Sequence, residues 1–212
     1  MKFLPILSCL LATALSCSSS LQKKREFEGT ITYQVELISK TPRISSEALQ
    51  KMYGNQMVLS IKGNNYRMSY KGLDLKDIFY VGNENKQYAL RQGIDTLFST
   101  DCSQESRPLI SSNLTTEGLK ILGRNCSSLI LDLGETKSQY WFSPTLYIAP
   151  TTFKAHKFGY TNVFYEKAQS PILKYKFEGK SFTLIQTAVS VDEHPISQNQ
   201  FQPPSLPKKS SF

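Results

Sequence analysis

A chain of 212 residues with 40% apolar, 20% charged and 11% aromatic side chains has the composition of one folded domain, which excludes wholesale disorder. The only run apolar enough to enter a membrane lies at the extreme N-terminus and is too short to span one comfortably, which excludes a polytopic membrane protein. The two histidines, His156 and His194, leave little material for a metal site or a catalytic triad. The net charge of +8 is spread along the chain rather than clustered with aromatics, so nucleic acid is not an expected partner.

Met1 and Lys2 form a minimal positive region, Phe3–Leu15 an apolar core, and Ala14-Leu15-Ser16-Cys17 a small-residue exit. That order predicts a signal peptide over residues 1–16 and hence export. A cysteine directly after Leu-Ser resembles the lipobox of bacterial lipoproteins, in which the Cys is lipidated and becomes the first residue. Ala14 stands where that box usually has Leu, and cleavage after Ala14, leaving Cys17 as a free thiol, is the alternative. Lipidation at Cys17 makes residues 17–25 a tether, ending in Lys23-Lys24-Arg25, to a membrane partner.

From Phe27 the pattern has period two. Phe27, Gly29, Ile31, Tyr33, Val35 and Leu37 share one face, and polar residues take the other, as in a long half-buried strand. Ser45 or Ser46, Glu47, Lys51 and Gly54 punctuate a helix over about 45–53. Strands 56–62 and 66–71 flank Gly63-Asn64-Asn65, and strands 77–81 and 86–91 flank Gly82-Asn83-Glu84-Asn85. Further strands are expected at 94–100, 119–122, 126–132, 137–142, 172–177 and 181–191, with an irregular stretch and a short helix near 152–157 before the last hairpin. The polar stretch Ser103–Gly118 is expected to be a loop. The reading is mainly β (α+β): a curved antiparallel half-barrel of about ten strands wrapping one or two helices. One domain covers residues 26–198, followed by a loose Pro- and Ser-rich tail, 199–212.

With Cys17 acylated, Cys102 and Cys126 remain as an even pair in an oxidising compartment, which predicts a disulfide. Its loop of about 24 residues would contribute roughly 3 kcal/mol. The spacing matches no redox or zinc motif, and no cofactor or metal is expected.

Glu28-Gly29-Thr30-Ile31-Thr32-Tyr33, Ile121-Leu122-Gly123-Arg124-Asn125-Cys126, Tyr140-Trp141-Phe142-Ser143-Pro144 and Phe201-Gln202-Pro203-Pro204 occur together over nearly the whole mature chain. The set resembles the uncharacterised GLPGLI-type envelope lipoproteins of Bacteroidetes-type bacteria, with Arg124 where that family commonly has an aromatic residue. The family is similar in outline to the LolA/LolB-like lipoprotein carriers, half-barrels whose apolar cavity accepts acyl chains. The resemblance implies that fold, and ligand binding follows only by analogy; the exported, lipid-anchored reading gives an outer-membrane location facing the periplasm as the expectation.

No nucleophile elbow, zinc-protease motif or phosphate loop is present, so no enzyme is expected. Asp192-Glu193-His194-Pro195 reads as a solvated turn, and Asp74 with Asp77 as a polar turn. The aromatic surplus points instead to a cavity for a lipid or acyl chain, with Tyr33, Leu59, Tyr66, Met68, Phe79, Trp141 and Phe142 as candidate lining. The alternative is an envelope interaction module with a protein partner, in which the same residues only pack a core.

Overall fold

The computed structural model describes residues 24–105 and 107–210; the expected signal peptide and Cys17 lie outside them. Six strands form an antiparallel meander: β1 (Gly29–Ser39), β2 (Gln56–Lys62), β3 (Asn65–Tyr70), β4 (Leu75–Val81), β5 (Lys86–Arg91) and β6 (Leu97–Asp101). Five more form a second: β7 (Ser111–Ile121), β8 (Arg124–Asp132), β9 (Lys137–Phe142), β10 (Ile172–Glu178) and β11 (Phe182–Glu193). Pairing of β1 with β11 joins them, and β12 (Lys208–Ser210) adds to β6 in parallel. The result is an open, mixed, twelve-stranded sheet in the order β12-β6-β5-β4-β3-β2-β1-β11-β10-β9-β8-β7, two strands more than the roughly ten expected.

The period-two pattern of β1 is realised: Ile31, Tyr33, Val35 and Leu37 are buried, Gln34 and Glu36 exposed. β1 outruns β2, which pairs it only as far as Gln34, so its last residues need other partners. Helix α1 (Ser46–Tyr53) supplies them. Gln50 Oε1 accepts from Leu37 N at 3.1 Å, its Nε2 donates to Val35 O at 3.0 Å, and Ser46 Oγ accepts from Ser39 N at 2.9 Å. Ser45 caps the helix through Ala48 N, as its sequence signals. Gly54 ends it at φ +83°, where a Cβ would meet the Lys71 carbonyl carbon at 2.6 Å.

The helix that packs on the main core is a different one. α2 (Thr161–Ala168) buries Phe164 and Tyr165, and Phe164 meets the rings of Tyr140 and Phe142 at 4.8 and 5.9 Å between centroids. The helix expected near 152–157 is a run of turns, and α2 begins just after it. Its β-branched and aromatic residues are poor helix formers, and Tyr160 before it is left-handed at φ +59° without a side-chain cap. Burial of Tyr160 and its hydroxyl donation to Arg107 O offset that strain.

Two further differences concern segments read as loose. The second half of the polar stretch Ser103–Gly118 belongs to the eleven-residue β7, an edge strand whose exposed face needs no apolar alternation. The tail from Gln198 is packed on the outer face of the first meander. A 3-10 turn at 198–201 buries Phe201 to 2% exposure, and Leu206 packs against a second cluster of Phe79, Tyr88, Leu90 and Leu97. Phe201→Ala should therefore lower unfolding free energy by about 3 kcal/mol in urea denaturation. An unchanged midpoint would contradict this packing.

Candidate functional site

The core lies on the inner face of the sheet, where both meanders and α2 converge. Strand alternation sends Leu59 of β2, Tyr66 and Met68 of β3 and Gln87 of β5 to this face from one side. Gln186 of β11, Ile172 and Tyr175 of β10 and Tyr140 of β9 reach it from the other. Phe158, Gly159, Thr161 and Tyr165 approach from α2 and the turn before it. Together they bound a cavity of about 230 Å³.

Of the residues expected to line a cavity, Leu59, Tyr66 and Met68 do so. Tyr33 packs in the same core, its hydroxyl donating to Ile172 O at 2.5 Å, and Phe142 packs on Phe164. Phe79 alternates with Tyr80 and belongs to the outer cluster, where the Arg67 guanidinium lies 5.0 Å from its ring. Trp141 alternates with Tyr140 and sits outside the cavity, with Lys174 Nζ 5.1 Å from its ring. Tyr140, Tyr165, Tyr175, Gln87 and Gln186 were not singled out as lining. The one available sign was a glutamine within an inward-facing stripe, as at Leu184, Gln186 and Ala188.

Buried polar groups at the cavity form two hydrogen-bonded sets. In the first, Gln87 Nε2 donates to Tyr66 Oη, and Tyr66 Oη lies 2.9 Å from His156 Nε2. His156 has 0% exposure and packs at a tilt against Tyr80, 4.3 Å between centroids. Burial pushes its imidazolium down to about 4, so it is neutral at pH 7 and accepts from the phenol through Nε2. In the second, Tyr140 and Tyr175 stack at 4.9 Å and share Ser138, while the Tyr70 hydroxyl donates to Met68 Sδ at 3.7 Å. Burial raises these phenols above their ordinary range, Tyr66 and Tyr140 by a wide margin.

The remaining candidate chemistry is structural. The expected Cys102–Cys126 disulfide is not formed: both thiols are free and buried. β6, which leads into Cys102, and β8, which carries Cys126, are separated by eight strands in the sheet order. Each sulfur instead faces a carbonyl two residues upstream, of Thr100 and of Arg124, and burial pushes the Cys102 thiol up to about 11. Asp77, 2% exposed, accepts from Arg67 Nε and Ser69 Oγ, while Asp74 lies 3.7 Å from Arg91 Nε. No metal-binding cluster of His, Cys, Asp and Glu occurs among the described residues. His194 lies 3.3 Å from Asp192 in an exposed pair. A larger groove, about 670 Å³, runs between the C-terminal segment and the turns at Asn64 and Asn83, with mostly exposed polar walls.

The folded His156 pKa lies below its unfolded value of 6.5, so the unfolded chain binds more protons between about pH 4 and 6.5. Stability is unaffected by this group above pH 6.5 and falls with acid across that window, by about 3 kcal/mol. His156→Gln should flatten this part of the pH profile of unfolding free energy; profiles of equal slope would contradict a buried neutral imidazole.

No protein-family profile and no curated protein sequence matches this chain. Similarity to solved structures is found, including those of PNGF-II in the C2 and P21 space groups, each with 13% identity over 86% of this chain and a TM-score of 0.48. The chain spans about a third of those proteins, 31% and 32% of their length.

Proposed function

We propose that this protein is a non-enzymatic, exported envelope lipoprotein, anchored through Cys17, that binds an apolar ligand such as a lipid or acyl chain on the inner face of a half-barrel. The leader and lipobox-like Leu15-Ser16-Cys17 support export and anchoring to a membrane, with the outer membrane facing the periplasm as the proposed site. The resemblance to GLPGLI-type proteins, and in outline to LolA/LolB-like carriers, supports the half-barrel. So does the meeting of β3 and β9 around one cavity although five strand-to-strand steps separate them in the sheet.

The observation that carries the reading is the cavity itself. A half-open apolar concavity of about 230 Å³ lies beside closely packed rings on the inner face, the form of site that takes small apolar groups. That volume exceeds the ~150 Å³ that accepts benzene, so it takes a ring or part of one chain rather than a whole lipid. Affinity would come from apolar burial, at about 25 cal/mol per Å².

A protein-interaction role is the second reading. It is favoured by the open edge at β7, where Ile110, Leu114, Leu119 and Leu122 are exposed on or beside the strand. Native mass spectrometry of the Cys17→Ser protein from its own envelope separates the two. Binding predicts a co-purifying lipid mass that Leu59→Trp, which fills the cavity, removes. A clean apo mass with full folding favours the interaction module.

A further inference from the structure

We infer that the group entering the inner-face cavity is uncharged and carries a hydroxyl or carbonyl that bonds Tyr165 Oη and Gln186, so that carboxylate, phosphate and ammonium groups stay outside. This rests on the proposed apolar-ligand reading and narrows its ligand class.

Charge provides the first argument. None of the residues bounding the cavity is Asp, Glu, Lys, Arg or His. The nearest imidazole, His156, is itself occupied as an acceptor for Tyr66. A carboxylate or ammonium placed there would lose its hydration and meet no counter-ion, and an unpaired buried charge is among the most unfavourable arrangements in a protein.

Most hydroxyls around the cavity are committed to protein partners. Tyr33 donates to Ile172 O, Tyr66 is held between Gln87 and His156, and Tyr140 and Tyr175 share Ser138. Tyr165 differs. Its side chain is 5% exposed and borders the cavity, and its hydroxyl, unlike His156 Nδ1, is not sealed away from solvent. Its ring packs tilted against Phe153 at 4.4 Å and edge-on to Phe164 at 5.0 Å, which fixes the direction of the hydroxyl. A phenol open to the cavity can exchange water for a hydroxyl or carbonyl group that enters it. Gln186 borders the same cavity, and its amide offers both donor and acceptor atoms. Leu59, Met68, Ile172 and Phe158 complete the apolar part of the site.

The test uses delipidated Cys17→Ser protein and four probes in calorimetry at pH 7: 1-octanol, octanoate, octylammonium and toluene. Octanol should bind at least ten-fold tighter than either ion. Tyr165→Phe should weaken octanol about three- to ten-fold and leave toluene unchanged. Gln186→Met provides an independent variant with the same expected pattern. Octanoate binding as tightly as octanol would overturn the inference, as would equal losses for octanol and toluene in both variants; toluene binding to the unsubstituted protein would still uphold the cavity. Failure of all four probes would instead overturn the apolar-ligand reading itself.

Discussion

The backbone ladder between β1 and β11 runs from Gly29↔Glu193 to Ser39↔Phe182 and is the sheet contact that unites two otherwise local meanders. Each meander can form from hairpins, but this ladder closes a loop of about 150 residues and carries the entropic cost of long-range pairing. Side-chain contacts beside it reinforce the join. Glu28 accepts from Lys62 Nζ at 2.8 Å and Ile196 N at 2.7 Å, and Lys62 also reaches Ile196 O at 2.6 Å. That cluster holds Glu28, chiefly through Lys62, below the usual carboxylate range. It ties the segments just before β1 and just after β11 to β2, in the middle of the sheet.

The cavity follows from that join. Tyr66 belongs to one meander, Tyr140 and Tyr175 to the other, and neither set can enclose space alone. Registry decides what they face: shifting β11 by one residue against β1 would turn Gln186 and Ala188 outward and Thr187 inward. α2 then covers the gap with Phe164 and Tyr165 but does not fill it. Gln87, Tyr66 and His156 Nε2 bond one another, His156 Nδ1 stays buried without a partner, and the lining carries no charged side chain. Such a lining can select a ligand by hydrogen bonding and shape without any charge.

Much of the fold was legible because its signals are local. Alternation in β1, the caps of α1 and the turns at Gly63 and Gly82 each act within a few residues. β7 was hidden because Ser, Asn and Thr dominate an edge strand with much of its surface in water. α2 was hidden because its stability is tertiary: its residues favour strands and its first turn starts from a left-handed Tyr160. Phe201 anchors the tail, yet its neighbours are Pro, Ser and Gln, the composition of a loose end. In the site, alternation alone identified Leu59, Tyr66 and Met68. It could not distinguish Phe79, which is equally buried but faces the outer cluster, nor assign Tyr165, whose position depends on α2. Two cysteines close to strand ends read as a pair because sequence does not reveal where strands fall in the sheet order.

A crystal structure of the protein taken from its own envelope, without extraction of bound lipid, tests the central claim most directly. The account predicts continuous density in the inner-face cavity, ending within hydrogen-bond distance of Tyr165 Oη. A cavity closed by rearranged side chains, or holding only ordered water bonded to Tyr165, would contradict it.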